Sequence, residues 1–306
     1  MWISEATSNI ALIKYMGKEQ GNIPCNVSLS YTLSKFTSKV VIENCTKEDS
    51  FKNAIRLNLK SVNRFLQHLK NIKTRFNYNG YFCVESSNNF PHSVGIASSS
   101  SSFAALTKCA VTAICEIKGI NPLSLEEMSQ ISREGSGASC RSFFFPWSVW
   151  DKNGAKSIDL KICKLNHDLV LVDTQPKKIS SSEAHELVKS SPLFVGRPSR
   201  AQNRFHNLIN SLDNDQWNNA REICREEYLD MHALFETSSP GFRYIQPKTT
   251  IVLKEIEKFC MENNDGPIVT IDAGPNIHFL WRDDQNELRK KAKKKILEKC
   301  SKIEFL

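Results

Sequence analysis

Five consecutive serines, at residues 98–102, run without a break into Phe103-Ala104-Ala105-Leu106 and on through Cys109, Ala110, Ala113 and Ile114. Beyond the serines the apolar residues recur at helical spacing. Serine tracts are ordinarily flexible linkers. A linker, however, is not followed at once by a patterned apolar helix, and Tyr81-Phe82-Cys83-Val84 ahead of it reads as a strand. The tract is therefore predicted to lie on a turn and over the first turn of a helix, entered through Pro91 and Gly95. A helix start offers free backbone N–H groups and the positive end of a dipole. Glycine lets an anion approach the backbone, and hydroxyls add donors or a ligand for a metal riding on phosphate. The implied chemistry is a phosphate cradle. It is not a P-loop, because the G-x-x-x-x-G-K-[ST] spacing is absent.

A chain of 306 residues, 40% hydrophobic and 24% charged, has room for one large domain or two ordinary ones. No apolar run approaches membrane-spanning length. The start MWISEATSNIALIKYMGK lacks the pattern of a signal peptide, so no membrane partner and a cytoplasmic location are expected. Ten cysteines are scattered through apolar stretches with no C-x-x-C pair, which predicts reduced, buried thiols and neither disulfides nor zinc. The net charge of +8 favours anionic partners. Much of it sits in RKKAKKK at residues 289–295, where Leu288, Ala292 and Ile296 keep helical spacing. No aromatic residues interleave there, so the run reads as a solvated helix face and no nucleic acid partner is expected.

Three further stretches could carry chemistry, each with a plainer explanation beside it. Lys14 and Lys18 flank Tyr15 and Gly17. Two ammonium groups beside a glycine turn suit a polyanion, although lysines taken alone are more often simple surface residues. In REGSGASCRSFFFPWSVW, residues 133–150, Gly135 and Gly137 bracket Ser136 and Arg141 follows. A glycine-flanked serine exposes backbone N–H groups, and an arginine grips a carboxylate through two parallel hydrogen bonds. The plainer explanation is a loop with a salt bridge. In PIVTIDAGPNIHFLW, residues 267–281, a strand, a tight turn and a strand place Asp272 before Ala273-Gly274-Pro275. That carboxylate either meets a substrate hydroxyl or only caps the turn.

Elsewhere the pattern predicts two strands joined by polar residues within 27–43 and an amphipathic helix over 61–70 that carries Arg64. Ser124 with Glu127 three residues on forms a capping box. Strands follow through 156–173, and helices dominate beyond Ala201. A composition shift near 174–185 predicts a domain boundary, giving units of 1–178 and 179–306.

These stretches carry a family resemblance. SSNNFPHSVGIASSSSSFAAL is similar to the phosphate-binding motif of the galactokinase, homoserine kinase, mevalonate kinase and phosphomevalonate kinase superfamily. Residues 86–99 resemble more closely the mevalonate diphosphate decarboxylase form, S-x-N-N-F-P-T-A-A-G-L-A-S-S. That family's N-I-A-x-x-K-Y-W-G-K is matched at residues 9–18, with Met16 in place of tryptophan. Its P-x-N-x-S-x-S-x-T-L-S is matched from Pro24 to Ser34, and its D-A-G-P-N stands complete at residues 272–276. R-x-G-S-G-S-A-C-R-S is matched around Arg141, with Ala138 where the family has a serine. K-K-x-S-S is matched at Lys177, Lys178, Ser180 and Ser181, after which Ser182, Glu183, Ala184 and His185 depart.

The resemblance implies a two-domain α+β fold of the small-molecule-kinase superfamily, with a nucleotide-binding N-terminal domain, a helix-rich C-terminal domain and a cleft between them. It implies ATP-dependent decarboxylation of mevalonate 5-diphosphate to isopentenyl diphosphate, with ATP and Mg2+ as cofactors. Asp272, Lys14 and Arg141 would be catalytic. Asn88, Asn89, Ser98, Ser99 and Ser100 would meet the nucleotide, Ser99 also serving Mg2+. Tyr15, Lys18, Arg64, Ser136 and Ser181 would bind the substrate's phosphates. A homodimer is implied as well. The departures at Ser182 and Glu183 keep open a monophosphate-using decarboxylase. A sibling kinase that only phosphorylates is a second rival, and a non-catalytic binding protein, from a different class, is a third.

Overall fold

The computed structural model describes residues 1–52, 59–90, 98–175, 177–300 and 302–306. Pro91 and Gly95 of the predicted cradle lie outside them. The chain opens with β1 (Trp2–Ile13), which pairs antiparallel with β2 (Ser28–Cys45). The second half of β2 pairs with β4 (Tyr81–Asn88), and its first residues pair with β5 (Trp147–Asp151). β3 (Ser50–Phe51) and β6 (Gly154–Ser157) complete a six-stranded sheet. The two strands predicted within 27–43 are therefore one. Thr7 faces Thr37 while Ser8 faces Leu33, so residues 34–36 bulge out of the pairing. The polar pair Ser34 and Lys35 interrupts the alternation because it occupies a bulge, not a turn.

Helices α1 (Leu59–Arg75), α2 (Ser98–Lys118) and α3 (Leu125–Gly135) cover this sheet. The predicted box caps α3: Glu127 N donates to Ser124 Oγ at 3.2 Å, and Ser124 N donates to Glu127 Oε2 at 2.8 Å. α2 is encased: from Ser100 to Cys115 only Lys108 and Thr112 escape burial. Its Phe103, Leu106 and Ile114 pack with Val40, Ile42, Phe82 and Val84 of the sheet and Phe65 and Leu69 of α1. Burial of each such side chain contributes roughly 1.5–3 kcal/mol, which anchors the serine end of α2.

The second domain is built on a four-stranded antiparallel sheet of β7 (Leu165–Leu171), β8 (Ile268–Ile271), β9 (Ile277–Arg282) and β10 (Glu304–Phe305). A short α4 (Ser181–Leu187) precedes α5 (Arg197–Asp213), α6 (Trp217–Thr237), α7 (Pro247–Asn263) and α8 (Asn286–Lys299). The run LVLV at 169–172 is apolar throughout because both faces of β7 are covered. Leu169 and Leu171 join a core shared with Ile10, Leu12 and Leu29 of the first sheet, whereas Val170 and Val172 pack with Ile256 of α7 and Ile296 of α8. The chain passes from the first sheet to the second between Ser157 and Leu165. The composition shift at 174–185 falls where α4, the first helix after β7, begins.

All ten cysteines are free. Cys109, Cys115, Cys140, Cys224 and Cys260 are buried as predicted, but Cys163 is exposed, on the connection between the sheets. Among the described residues no helix is long and apolar enough to cross a membrane. Lys290, Lys291, Lys293 and Lys294 of α8 are exposed, as a solvated face requires.

Candidate active site

Lys14 follows the last residue of β1, and Asp272 follows the last residue of β8. Each sheet therefore delivers one charged side chain to its edge, and the two meet: Lys14 Nζ donates to Asp272 Oδ1 at 2.5 Å. Lys14 is 1% exposed. Burial pulls the proton affinity of its ammonium down, and Asp272 and Glu227 partly restore it. Burial alone would raise Asp272, but Lys14, then His278 and Arg141, outweigh it and hold the carboxyl below its ordinary 3.8. The pair is ionised, and the bland possibility that the Asp272 side chain only caps its turn does not hold: the turn bond is made by its carbonyl, which accepts from Gly274 N at 2.7 Å.

Arg141 stands on a 3-10 segment (Gly137–Phe143), buried, with Nη1 donating to Ser28 Oγ at 3.0 Å and the guanidinium 5.6 Å from the Trp150 ring. Its Nε has no partner among the described residues, and neither do its nitrogens have a carboxylate there. Ser100 Oγ is likewise buried and unpartnered among them. Both line a cavity of about 680 Å³ that also reaches Lys14 and Asp272. A buried cation without a carboxylate and a buried hydroxyl without a partner, both judged among the described residues, fit an anionic ligand.

Around this centre the remaining side chains form the cleft wall. Tyr15 stacks between Trp150 and His185, with ring centroids 4.4 and 4.3 Å away. A Cβ on Gly137 would sit 2.8 Å from the Tyr15 hydroxyl, so only glycine lets this segment approach. Gly17 takes a φ of +88° and carries the chain round between the two lysines. Lys18 Nζ donates to Asn22 Oδ1 at 3.1 Å, and Arg64 Nη2 donates to Gly135 O at 3.2 Å. Ser136 Oγ donates to Ser99 Oγ at 3.4 Å, tying α2 to the loop that carries Arg141. Ser98, Ser99 and Ser181 line the same cavity. Met16 is buried against Ala184, Val188 and Met231. His185 is a packing histidine: it accepts from Gly17 N, and burial holds its pKa to about 3.

Asn88 and Asn89 are not brought to this cavity. Asn88 Oδ1 accepts from Ser38 Oγ at 2.7 Å and Ser102 Oγ at 3.3 Å, while Asn89 bridges Thr37 N and Lys35 O across the sheet edge. Two cations enter the cleft that sequence reasoning did not single out. Lys177 donates to Ala273 O beside Asp272, and Lys60 sits one helical turn before Arg64. Lys177 lay in plain view in the Lys-Lys-x-Ser-Ser run. Two more residues were invisible: Glu227 and Arg197, which grip the Lys14 peptide from beneath the cleft.

Residues 6–159 match the diphosphomevalonate decarboxylase-like N-terminal domain, and residues 169–304 match the mevalonate 5-diphosphate decarboxylase C-terminal domain. Diphosphomevalonate decarboxylase of Debaryomyces hansenii is 28% identical over 94% of this chain and 81% of its own. The crystal structure of a mevalonate diphosphate decarboxylase from Legionella pneumophila superposes with a TM-score of 0.93 at 43% identity, covering 100% of this chain and 99% of that one. A structure of MDDEF in complex with MVAPP, AMPPCP and magnesium superposes with a TM-score of 0.89 at 26% identity, covering 99% of this chain and 95% of that one.

Proposed function

The chain belongs to the diphosphomevalonate decarboxylase family, and we propose a division of labour among its residues for the ATP-dependent decarboxylation of mevalonate 5-diphosphate to isopentenyl diphosphate. The observation that carries it is the meeting of Asp272, Lys14 and Arg141 at a serine-lined cleft. A tertiary alcohol is a poor nucleophile, and hydroxide is a poor leaving group, so the hydroxyl is first phosphorylated. Asp272 accepts a hydrogen bond from the 3-hydroxyl and aims its oxygen at the terminal phosphorus of ATP. Its depressed pKa makes it too weak a base to remove the proton beforehand. The proton passes to it as the new O–P bond forms and ADP departs. Lys14 offsets the charge that moves onto the phosphoryl oxygens.

Arg141 then holds the substrate carboxylate. The bond from that carboxylate to the chain breaks, and its electron pair becomes the new double bond. The C–O bond to phosphate opens in the same step, releasing carbon dioxide and inorganic phosphate. Tyr15, Lys18, Arg64, Ser136 and Ser181 hold the substrate's phosphates, and Lys60 adds a cation on the same wall. Ser98, Ser99 and Ser100 cradle the nucleotide phosphates. Among the described residues no three His, Cys, Asp or Glu side chains gather to hold a metal. The Ser99 hydroxyl, which lines the cavity, would help hold Mg2+ carried on phosphate oxygens, and the ion would neutralise phosphate charge. From the family likeness we also infer a cytoplasmic homodimer, which sedimentation equilibrium and cell fractionation check.

The decisive assay follows ADP and carbon dioxide together, with mono- and diphosphorylated mevalonate side by side. Equal yields of both products from the diphosphate are expected, whereas ADP without carbon dioxide would reduce the protein to a kinase. Asp272→Ala is expected to lose about 10³-fold in kcat with nucleotide binding retained. Near-normal turnover in that variant would sink the assignment.

A further inference from the structure

Lys14 has to stay in place while Asp272 exchanges its bond to the ammonium for one to the substrate hydroxyl. Among the described residues its ammonium has Asp272 as its one ion-pair partner. What else holds it is its own peptide group. Lys14 N donates to Glu227 Oε1 at 2.8 Å, and Lys14 O accepts from Arg197 Nη2 at 3.0 Å and from Asn26 Nδ2 at 2.8 Å. Arg197 is the first residue of α5 and Glu227 lies on α6, so both helices of the second domain grip a residue of the first. Both side chains are fully buried.

The two are locked to each other as well. Arg197 Nη2 and Nη1 donate to Glu227 Oε1 and Oε2, the latter at 2.9 Å. Arg204 Nη1 donates to Glu227 Oε2 at 3.1 Å, and Asp230 takes bonds from Arg197, Arg200 and Arg204. A buried ion pair is a weak stabiliser, since desolvation costs several kcal/mol per ion. As a fixture it is stiff, because a planar guanidinium fork fixes direction as well as distance.

We propose that Glu227 and Arg197 are positioning residues for Lys14, clamping its main chain from both sides so that its ammonium keeps its place through the reaction. The inference rests on the role given to Lys14 above. Glu227 also acts through space, as one of the two carboxylates that raise the proton affinity of Lys14. The other groups facing Lys14 are Asp272 from the turn after β8, Arg141 from the 3-10 segment, Arg197 from α5, and His232 and Cys224 from α6. Burial holds His232 to about 3, and it pushes the Cys224 thiol upward, so neither carries charge at neutral pH.

The test is the pH dependence of kcat in three variants. Glu227→Gln is expected to lower kcat about tenfold or more, a partial misplacement, leave KM near wild type, and shift the alkaline limb to lower pH. Arg197→Lys keeps the charge but loses the fork, so kcat falls while the limb stays. Arg204→Gln touches Glu227 and not Lys14, and it is expected to lose thermal stability with the limb unmoved. Wild-type kcat and limb in Glu227→Gln, or an equal shift in Arg204→Gln, overturns the proposal. Should Glu227→Gln not fold, wild-type kcat in Arg197→Lys overturns it alone. Lys14→Gln separates the levels: if it stays active, the role of Lys14 itself falls. If it is dead while the clamp variants behave as wild type, only the clamp falls.

Discussion

Two clusters of buried charge share the Lys14 peptide and differ in how they are balanced. Beneath it, Arg197, Arg200 and Arg204 face Glu227, Asp230 and, at 3.5 Å, Glu226. Every carboxylate there is taken by protein, and the set is closed. Above it, one carboxylate, Asp272, pairs with Lys14, while Arg141, Lys177, Lys18 and Arg64 line the same cavity. That set is open, with positive charge left over and no carboxylate paired to Arg141 among the described residues. The difference teaches where structure ends and function begins: a closed cluster holds the chain, and an open one waits for an anion.

The largest effect should come from breaking the closed set. Glu227→Ala strands a buried guanidinium and is expected to cost about 3–5 kcal/mol of stability, read as a shift in the urea midpoint. Arg141→Met in the open set should do the opposite, abolishing decarboxylation while leaving that midpoint unchanged or raised. Equal losses of stability in both would erase the distinction.

Next comes ligand linkage. Inorganic pyrophosphate at about a hundred times its Kd should stabilise the protein by about 2.7 kcal/mol, and Arg141→Met should weaken that gain. A calorimetric scan without any upward shift in Tm would mean the open set takes no anion.

The pH profile sharpens the comparison further. Asp272 is held below 3.8, so its share of stability is present above that value and is lost as pH falls through its folded pKa. Burial keeps His68 near 4 and His185 and His232 near 3, so they stay neutral above about pH 4 and take up protons only as pH falls further. The acid limb of kcat/KM, which reports the free enzyme, should therefore lie below pH 3.8. A limb between about 5 and 6, where a carboxylate without a cation beside it would titrate, would mean that Lys14 is not charged beside it. Smallest of all, Ser124→Ala removes a cap far from both sets and should cost about 1 kcal/mol, with no change in kcat.

Much of this was legible in the sequence because the chemistry is local. The turn after β8 announces Asp272, the glycine-flanked loop announces Arg141, and the serine tract announces the end of α2. Helical periodicity located α1, and the capping box located α3. What escaped depends on pairing across the fold. β7 reads like one more strand of the first domain until its register with β9 is known. Residues 34–36 look like a connection until β1 is laid beside them. Asn88 Oδ1 accepts from Ser38 and Ser102, and Asn89 bridges Thr37 and Lys35, bonds that only the pairing of β2 with β4 brings about. Glu227 and Arg197 are charged residues on amphipathic helices, and such residues are usually solvated. Nothing within 180 residues of Lys14 betrays that they turn inward to meet it.

The ion pair between Lys14 and Asp272 spans 258 positions of the chain. During synthesis the lysine emerges 258 residues ahead of its counter-ion and has to wait for it. A chain cut short before Asp272 lacks the carboxylate that we assign to the substrate hydroxyl. On that assignment, competence for turnover arrives only once residues of both sheets have been made.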